Sequence, residues 1–249
     1  KKQHWSYMTD IIHNIQDILQ RIEKACLASN RDPRSVRLLL ATKTVTAERI
    51  RIALEAGQML IAENKVQEIK EKYEALKDIP HESHFIGHLQ SNKIKEILKY
   101  GVSCIQSLDS LEVAEKLHQR LLFEDKKIDV LVQVNTSNEA SKFGAHPDNT
   151  IALVKAIAQL DTIRIRGLMT IGLFSAETAK VRACFKILKQ LSGQIAGLDI
   201  PNVEMRELSM GMSGDLETAI EEGATIVRVG TAIFGKRAYP DSYYWNEQQ

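Results

Sequence analysis

Eight short apolar runs alternate with eight helical stretches along this 249-residue chain, and few folds accept that alternation. The first run is Val36-Arg37-Leu38-Leu39-Leu40-Ala41, set off upstream by Asp32-Pro33. The others occupy residues 59–62, 84–87, 102–105, 128–134, 163–168, 203–208 and 224–229. Runs this short and this apolar read as strands buried on both faces, as in a parallel sheet. Helical stretches follow at 47–56, 65–76, 91–100, 109–122, 147–160, 178–195 and 213–222, with a shorter segment from Thr231. Such units, joined by short connections, imply a parallel sheet with helices outside it. Eight units close into a cylinder, and the length matches the roughly 250 residues of a (β/α)8 TIM barrel. An open doubly wound sheet is the alternative. No G-x-G-x-x-G follows the first run, which weakens a dinucleotide reading.

Ahead of the first run, Met8 to Ala28 carries Ile11, Ile12, Ile15, Ile18, Leu19 and Ile22 at helical spacing. One extra helix therefore precedes the barrel. The expected organisation of this α/β chain is an N-terminal extension and helix at 1–30, a single barrel at 31–238 and a short tail at 239–249. The chain begins Lys1-Lys2-Gln3-His4-Trp5, with no methionine and no signal-peptide apolar core, and these residues stand outside the fold reading.

A formal net charge of +1 supplies no field for nucleic acid or an anionic membrane. No stretch approaches the roughly 18 apolar residues of a membrane span. Cys26, Cys104 and Cys184 are odd in number and far apart, so they form no disulfide framework and no metal pattern. A reducing, cytoplasmic setting is expected.

In parallel α/β folds ligands bind at the carboxyl ends of the strands. Lys43 stands there after the first run. A desolvated lysine disfavours its ammonium form, and a neutral amine forms a Schiff base with an aldehyde. The bland alternative is a solvated strand-end lysine. Glu63 and Asn64 follow the second run, where Asn64 is alternatively a helix cap with Gln67 three residues on. His88 follows the third run without a readable carboxylate partner, so a polar loop contact is expected. Gln106 and Ser107 follow the fourth run. After the seventh comes Ser209-Met210-Gly211-Met212-Ser213-Gly214, and after the eighth Gly230-Thr231. Glycines, hydroxyls and helix starts in these two loops suit a phosphate, and barrels often place one there. Plain turn chemistry is the alternative. Arg228, near the end of the eighth run, is a buried arginine in need of a partner, whether a ligand or a structural carboxylate. Lys93 to Lys99 reads as a solvated basic face and Lys142 as an exposed loop lysine. A lysine on the first strand and a phosphate cradle on the last two point to pyridoxal 5′-phosphate, which has an aldehyde and a phosphate.

Several longer stretches carry a family likeness. They are Ala41-Thr42-Lys43-Thr44, Glu63-Asn64-Lys65-Val66-Gln67-Glu68, the run from His84 to Lys93, Ser107-Leu108-Asp109, Gly167-Leu168-Met169, Leu208 to Ser213, and Val227 to Gly235. On these, from about Val36 to Tyr239, the chain resembles the YggS/PROSC family, the pyridoxal phosphate homeostasis proteins. The resemblance implies a fold-type III barrel with Lys43 as the Schiff-base lysine. It places Ser209, Ser213, Gly230 and Thr231 in the phosphate segments, Arg228 near the cofactor ring and Asn64 beside it. Met210 and Met212 then offer backbone donors to the phosphate. Two departures stand out: Ala62 where the family usually has glycine, and Lys65 where it often has an aromatic.

Racemases and decarboxylases that share this barrel add a β-rich domain that supplies catalytic groups. Here a tail holding Tyr239, Tyr243 and Tyr244 follows Gly235, too short for such a domain, and no second acid or base opposite the lysine is evident. The expected protein is a non-catalytic, monomeric carrier that buffers pyridoxal 5′-phosphate or delivers it to apoenzymes. The alternative is a racemase or decarboxylase.

Overall fold

The computed structural model describes residues 2–235; Tyr239, Tyr243, Tyr244 and the expected 239–249 tail lie outside them. Helix α1 (Lys2–Ala28) leads into β1 (Arg37–Ala41), α2 (Ala47–Glu55), β2 (Leu60–Glu63), α3 (Val66–Leu76) and β3 (Glu82–Phe85). Then follow α4 (Ile94–Lys99), β4 (Val102–Leu108), α5 (Leu111–Glu124), β5 (Ile128–Gln133), α6 (Pro147–Ala158) and β6 (Ile163–Met169). The chain continues through α7 (Thr178–Gly197), β7 (Val203–Ser209), α8 (Leu216–Glu221), β8 (Ile226–Val229) and α9 (Thr231–Phe234). The strands form a closed parallel barrel in chain order, with β1 beside β8 and Leu39 level with Arg228. This is the TIM barrel that the eight repeats imply, and the doubly wound alternative is set aside.

The main core lies between strands and helices, where Leu40, Ile50, Ile105, Leu117 and Phe185 are among its buried side chains. The barrel interior differs. Leu39, Leu60, Ala62 and Ile226 form one small apolar cluster, and Cys104, Leu131 and Met169 another. His84, Gln106, Ser209 and Arg228 are also buried. Their mutual hydrogen bonds place polar chemistry where many barrels hold branched aliphatics.

Sequence caps set several helix starts. Thr46 caps α2, Ser110 caps α5, and Pro147 takes the first position of α6. The last barrel helix, α9, has one turn, and α1 packs against α2, α8 and α9 beside it. Ile11, Ile15, Ile18 and Ile22 form its buried stripe, each contributing about 2 kcal/mol of burial. Asn14 Nδ2 donates to the Ile233 carbonyl, which fixes α1 to α9.

The structure moves several expected boundaries. α1 begins at Lys2 rather than Met8. β3 ends at Phe85, so Ile86 and Gly87 lie beyond it. β4 runs on to Leu108, with an irregularity between Ile105 and Leu108, so Gln106 and Ser107 sit within the strand rather than after it. α8 begins at Leu216, after a turn that includes Ser213 and Gly214. Among the described residues no helix is long and apolar enough to cross a membrane, and the three cysteines are buried free thiols.

Candidate functional site

β1 delivers Lys43 into a tight turn. The Val45 N–H donates to the Thr42 carbonyl at 3.0 Å, so Lys43 and Thr44 are the central residues. Thr44 has φ +64°, the sign a type II turn needs at that position and normally fills with glycine or asparagine. A β-branched residue is strained in that conformation. Its surroundings hold it: Glu68 Oε1 accepts from the Thr44 N–H at 2.6 Å, and Lys72 Nζ donates to the Thr42 carbonyl at 2.8 Å.

Lys43 and Asn64 line one cavity of about 220 Å³ at the carboxyl ends of β1 to β3, together with Gly87, His88, Lys93 and Phe143. The Asn64 Oδ1 is buried and accepts no hydrogen bond from the described residues. It is not a helix cap, because Lys65 holds that position of α3 and makes no side-chain cap bond. Gly87 packs against Asn64 so closely that a Cβ there would stand 1.9 Å from the Asn64 carbonyl oxygen. His88 makes an aromatic rather than a polar contact: Phe143 stacks on it at 3.8 Å with the planes 10° apart. Lys93, read as part of a solvated face, is instead a wall of this cavity. Lys142 is pinned as well, by the Gly172 carbonyl at 2.9 Å and Glu139 at 3.0 Å.

A second group lies inside the barrel. Arg228 donates from Nη1 to Ser209 Oγ at 2.7 Å and from Nη2 to the Thr170 carbonyl at 2.8 Å. Ser209 Oγ donates onward to Gln106 Oε1 at 2.6 Å. Gln106 Nε2 lies 2.9 Å from His84 Nδ1. Because a guanidinium only donates, the order of donors along this chain is fixed, and His84 Nδ1 must accept. His84 is therefore neutral here, and burial pulls its pKa down to about 4. Arg228 has neutral partners in both bonds rather than a structural carboxylate. Burial lowers its pKa to about 10, with Asp215 acting in the opposite direction.

The β7–α8 loop is joined to β8, where the Arg228 N–H donates to the Gly211 carbonyl at 2.9 Å, and the β8–α9 loop meets the end of β1. A Cβ on Gly230 would stand 3.0 Å from the Ala41 carbonyl oxygen, so β8 turns away directly against β1. Thr231 is exposed and Ser213 half-buried. In the single turn of α9 the Ile233 and Phe234 N–H groups donate to the Gly230 carbonyl, each at 3.0 Å, so the helix start offers at most the Thr231 and Ala232 amides to a ligand. Two expected donors are committed elsewhere. Met210 N–H donates to the Ile226 carbonyl at 3.1 Å because β7 and β8 keep pairing past Ser209. Met212 N–H donates to Asp215 Oδ1 at 2.7 Å. The hydroxyl of Ser209 faces the Arg228 chain rather than the loop. Arg21 of α1 supports this region by donating to the Ser213 carbonyl and, through two nitrogens, to Glu217.

Nothing in the local sequence assigns a site role to Phe143, Lys72, His84 or Arg21. Only the Glu68–Lys72 spacing of four on one helix face signals a contact in advance.

The alanine racemase N-terminal domain model matches residues 9–238. The pyridoxal phosphate homeostasis protein of Aquifex aeolicus is 42% identical over 222 residues, 89% of this chain and 96% of its own length. PipY of Synechococcus elongatus, solved with PLP bound, superposes with a TM-score of 0.76 at 34% identity, covering 88% of this chain and all of PipY. An alanine racemase of Clostridium difficile shares the fold at 14% identity with a TM-score of 0.72, matched over 57% of its length.

Proposed function

This chain belongs to the alanine racemase N-terminal domain family and, within it, to the pyridoxal phosphate homeostasis proteins, and from that premise we propose that it holds pyridoxal 5′-phosphate on Lys43. The observation that carries this reading is the shared cavity of Lys43 and Asn64, with the buried Asn64 Oδ1 lacking a donor among the described residues. Two further features fit the cofactor. Arg228 is a buried cation whose hydrogen-bond partners among the described residues are neutral, suited to an electron-rich ring atom. Ser213, Gly230 and Thr231 lie on the two loops suited to a phosphate. Ser209 acts through Arg228, whose guanidinium it orients. When bound, pyridoxal 5′-phosphate supplies an aldehyde that condenses reversibly with an amine and releases water. The chain's own residues bind the ring and phosphate and present the lysine.

We read the protein as a carrier without catalysis of its own, working as a monomer in the cytoplasm and yielding the cofactor to apoenzymes. The homeostasis names of its relatives, which describe no reaction, support the carrier reading. Residues 31–238 form the cofactor-binding unit, with 1–30 as an outer support.

The test is borohydride reduction of the protein loaded with pyridoxal 5′-phosphate, followed by peptide mapping, in wild type and Lys43→Ala. Label on Lys43, absent from a folded Lys43→Ala variant, is expected. Label on Lys142 or Lys93 with Lys43 bare would overturn the assignment.

A further inference from the structure

We propose that Lys72, acting with Glu63 and Glu68, is a positioning residue that holds the Lys43 turn in the shape needed to capture an aldehyde. This rests on the reading of Lys43 given above, and it assigns a role to three residues remote from the phosphate loops.

Lys72 lies on α3 with its side chain only 11% exposed. A buried ammonium is costly unless it is fully bonded, and this one has three acceptors. It donates to Glu63 Oε1 at 2.7 Å, to Glu68 Oε1 at 3.1 Å and to the Thr42 carbonyl at 2.8 Å. Each carboxylate in turn holds the turn itself. Glu63 Oε1 accepts from Thr42 Oγ1, and Glu68 Oε1 accepts from the Thr44 N–H. Both chain neighbours of Lys43 are thus tied to one ammonium, Thr42 directly and Thr44 through Glu68.

Buried ion clusters contribute little to stability compared with apolar packing of the same volume. Gluing α3 to the barrel would need no such cluster. What the cluster does uniquely is hold a strained conformation. Thr44 has φ +64° with a β-branched side chain, and strained residues persist where their surroundings over-determine them. The Thr44 amide, the Thr42 carbonyl and the Thr42 hydroxyl are all taken by the cluster. Lys43 sits between them, and its own direction follows from the turn. Without the ammonium, Glu63 and Glu68 would share a buried site with no cation between them, the Thr42 carbonyl would lose its donor, and the turn would relax toward an unstrained form. The Lys43 amine would then lose its fixed approach to the cavity, while Arg228 and the β7–α8 and β8–α9 loops would be untouched.

That separation makes the test. Pyridoxine 5′-phosphate has the ring and phosphate of pyridoxal 5′-phosphate with an alcohol in place of the aldehyde, so it cannot be captured by an amine. Binding of both ligands is measured on full-length wild type, Lys72→Met, Glu68→Ala and Glu68→Gln, with borohydride label on Lys43 as a second readout. In Lys72→Met and Glu68→Ala, pyridoxal 5′-phosphate binding and Lys43 labelling should fall tenfold or more, with pyridoxine 5′-phosphate binding changed less than twofold. Glu68→Gln keeps the Oε1 acceptor for Thr44 and should restore capture. Equal weakening of both ligands, or a lowered melting temperature with capture intact, would show a merely structural cluster. Should Lys72→Met fail to fold, the more peripheral Glu68 pair decides the question alone. Wild-type label on a lysine other than Lys43 would sink the site assignment itself, an outcome distinct from failure of the clamp.

Discussion

An alanine at position 87 would have its Cβ 1.9 Å from the Asn64 carbonyl oxygen; that Cβ is fixed by the position 87 backbone, and the oxygen is itself backbone. Neither can swing aside as a side chain would. Gly87→Ala should cost about 1–3 kcal/mol of stability, as overpacking does, and should weaken pyridoxal 5′-phosphate because Asn64 must move. Denaturant titration and ligand titration on the same protein read the two effects. Stability and binding both at wild-type level would mean the contact is not tight. The sequence shows this glycine only as the end of an apolar run. Its reason lies on another strand end, where no local pattern reports it. Lys43, Asn64 and Arg228 are legible for the opposite reason: each stands at or near the carboxyl end of a recognisable strand. Lys72 is not legible, because a lysine on a charged helix reads as solvated until the fold places it under Thr42.

At the level of elements, helices and strands are readable from period and punctuation, while their ends are decided by neighbours. β4 continues through Gln106 and Ser107 because β3 and β5 flank it, and the irregularity lets Gln106 reach both His84 and Ser209. α1 is the clearest case of an element whose pattern is plain and whose task is not. Its isoleucine stripe announces burial, but the partner surface of α2, α8 and α9 exists only after the barrel closes. Arg21 extends α1's reach to the Ser213 loop. The Arg21–Glu217 pair is more than a third exposed on both sides, so solvent screens it and Arg21→Ala should cost under about 1 kcal/mol. The same change should loosen the Ser213 carbonyl and weaken pyridoxal 5′-phosphate more than pyridoxal, which lacks the phosphate. Parallel titrations with the two ligands check this. An equal loss for both would detach α1 from the phosphate loops.

At the scale of the whole molecule, counting repeats is enough to anticipate closure, because eight parallel units leave few alternatives. The polar barrel interior is a different matter. Strands of four to seven residues carry too few positions to reveal which side chains point inward. His84 is the consequence with a measurable signature. The Arg228–Ser209–Gln106 chain delivers a donor to its Nδ1, and burial holds its pKa near 4 instead of 6.5. A depressed histidine contributes stability that is present above about pH 6.5 and lost as pH falls toward 4. The difference corresponds to about 3 kcal/mol. Glu63 runs the other way: burial raises its carboxyl, so its contribution is present in acid and lost as pH rises through the raised value. The wild-type profile should therefore be flatter than either residue alone would make it. His84→Gln keeps an acceptor for Gln106 and removes the titration, and Glu63 cancels from the difference between the two proteins. Unfolding free energies of both, measured from pH 4 to 7, should diverge as pH falls, with wild type losing about 3 kcal/mol relative to the variant. A constant difference across that range would mean that His84 carries the same charge folded and unfolded, and that the donor order from Arg228 inward is not the one drawn here.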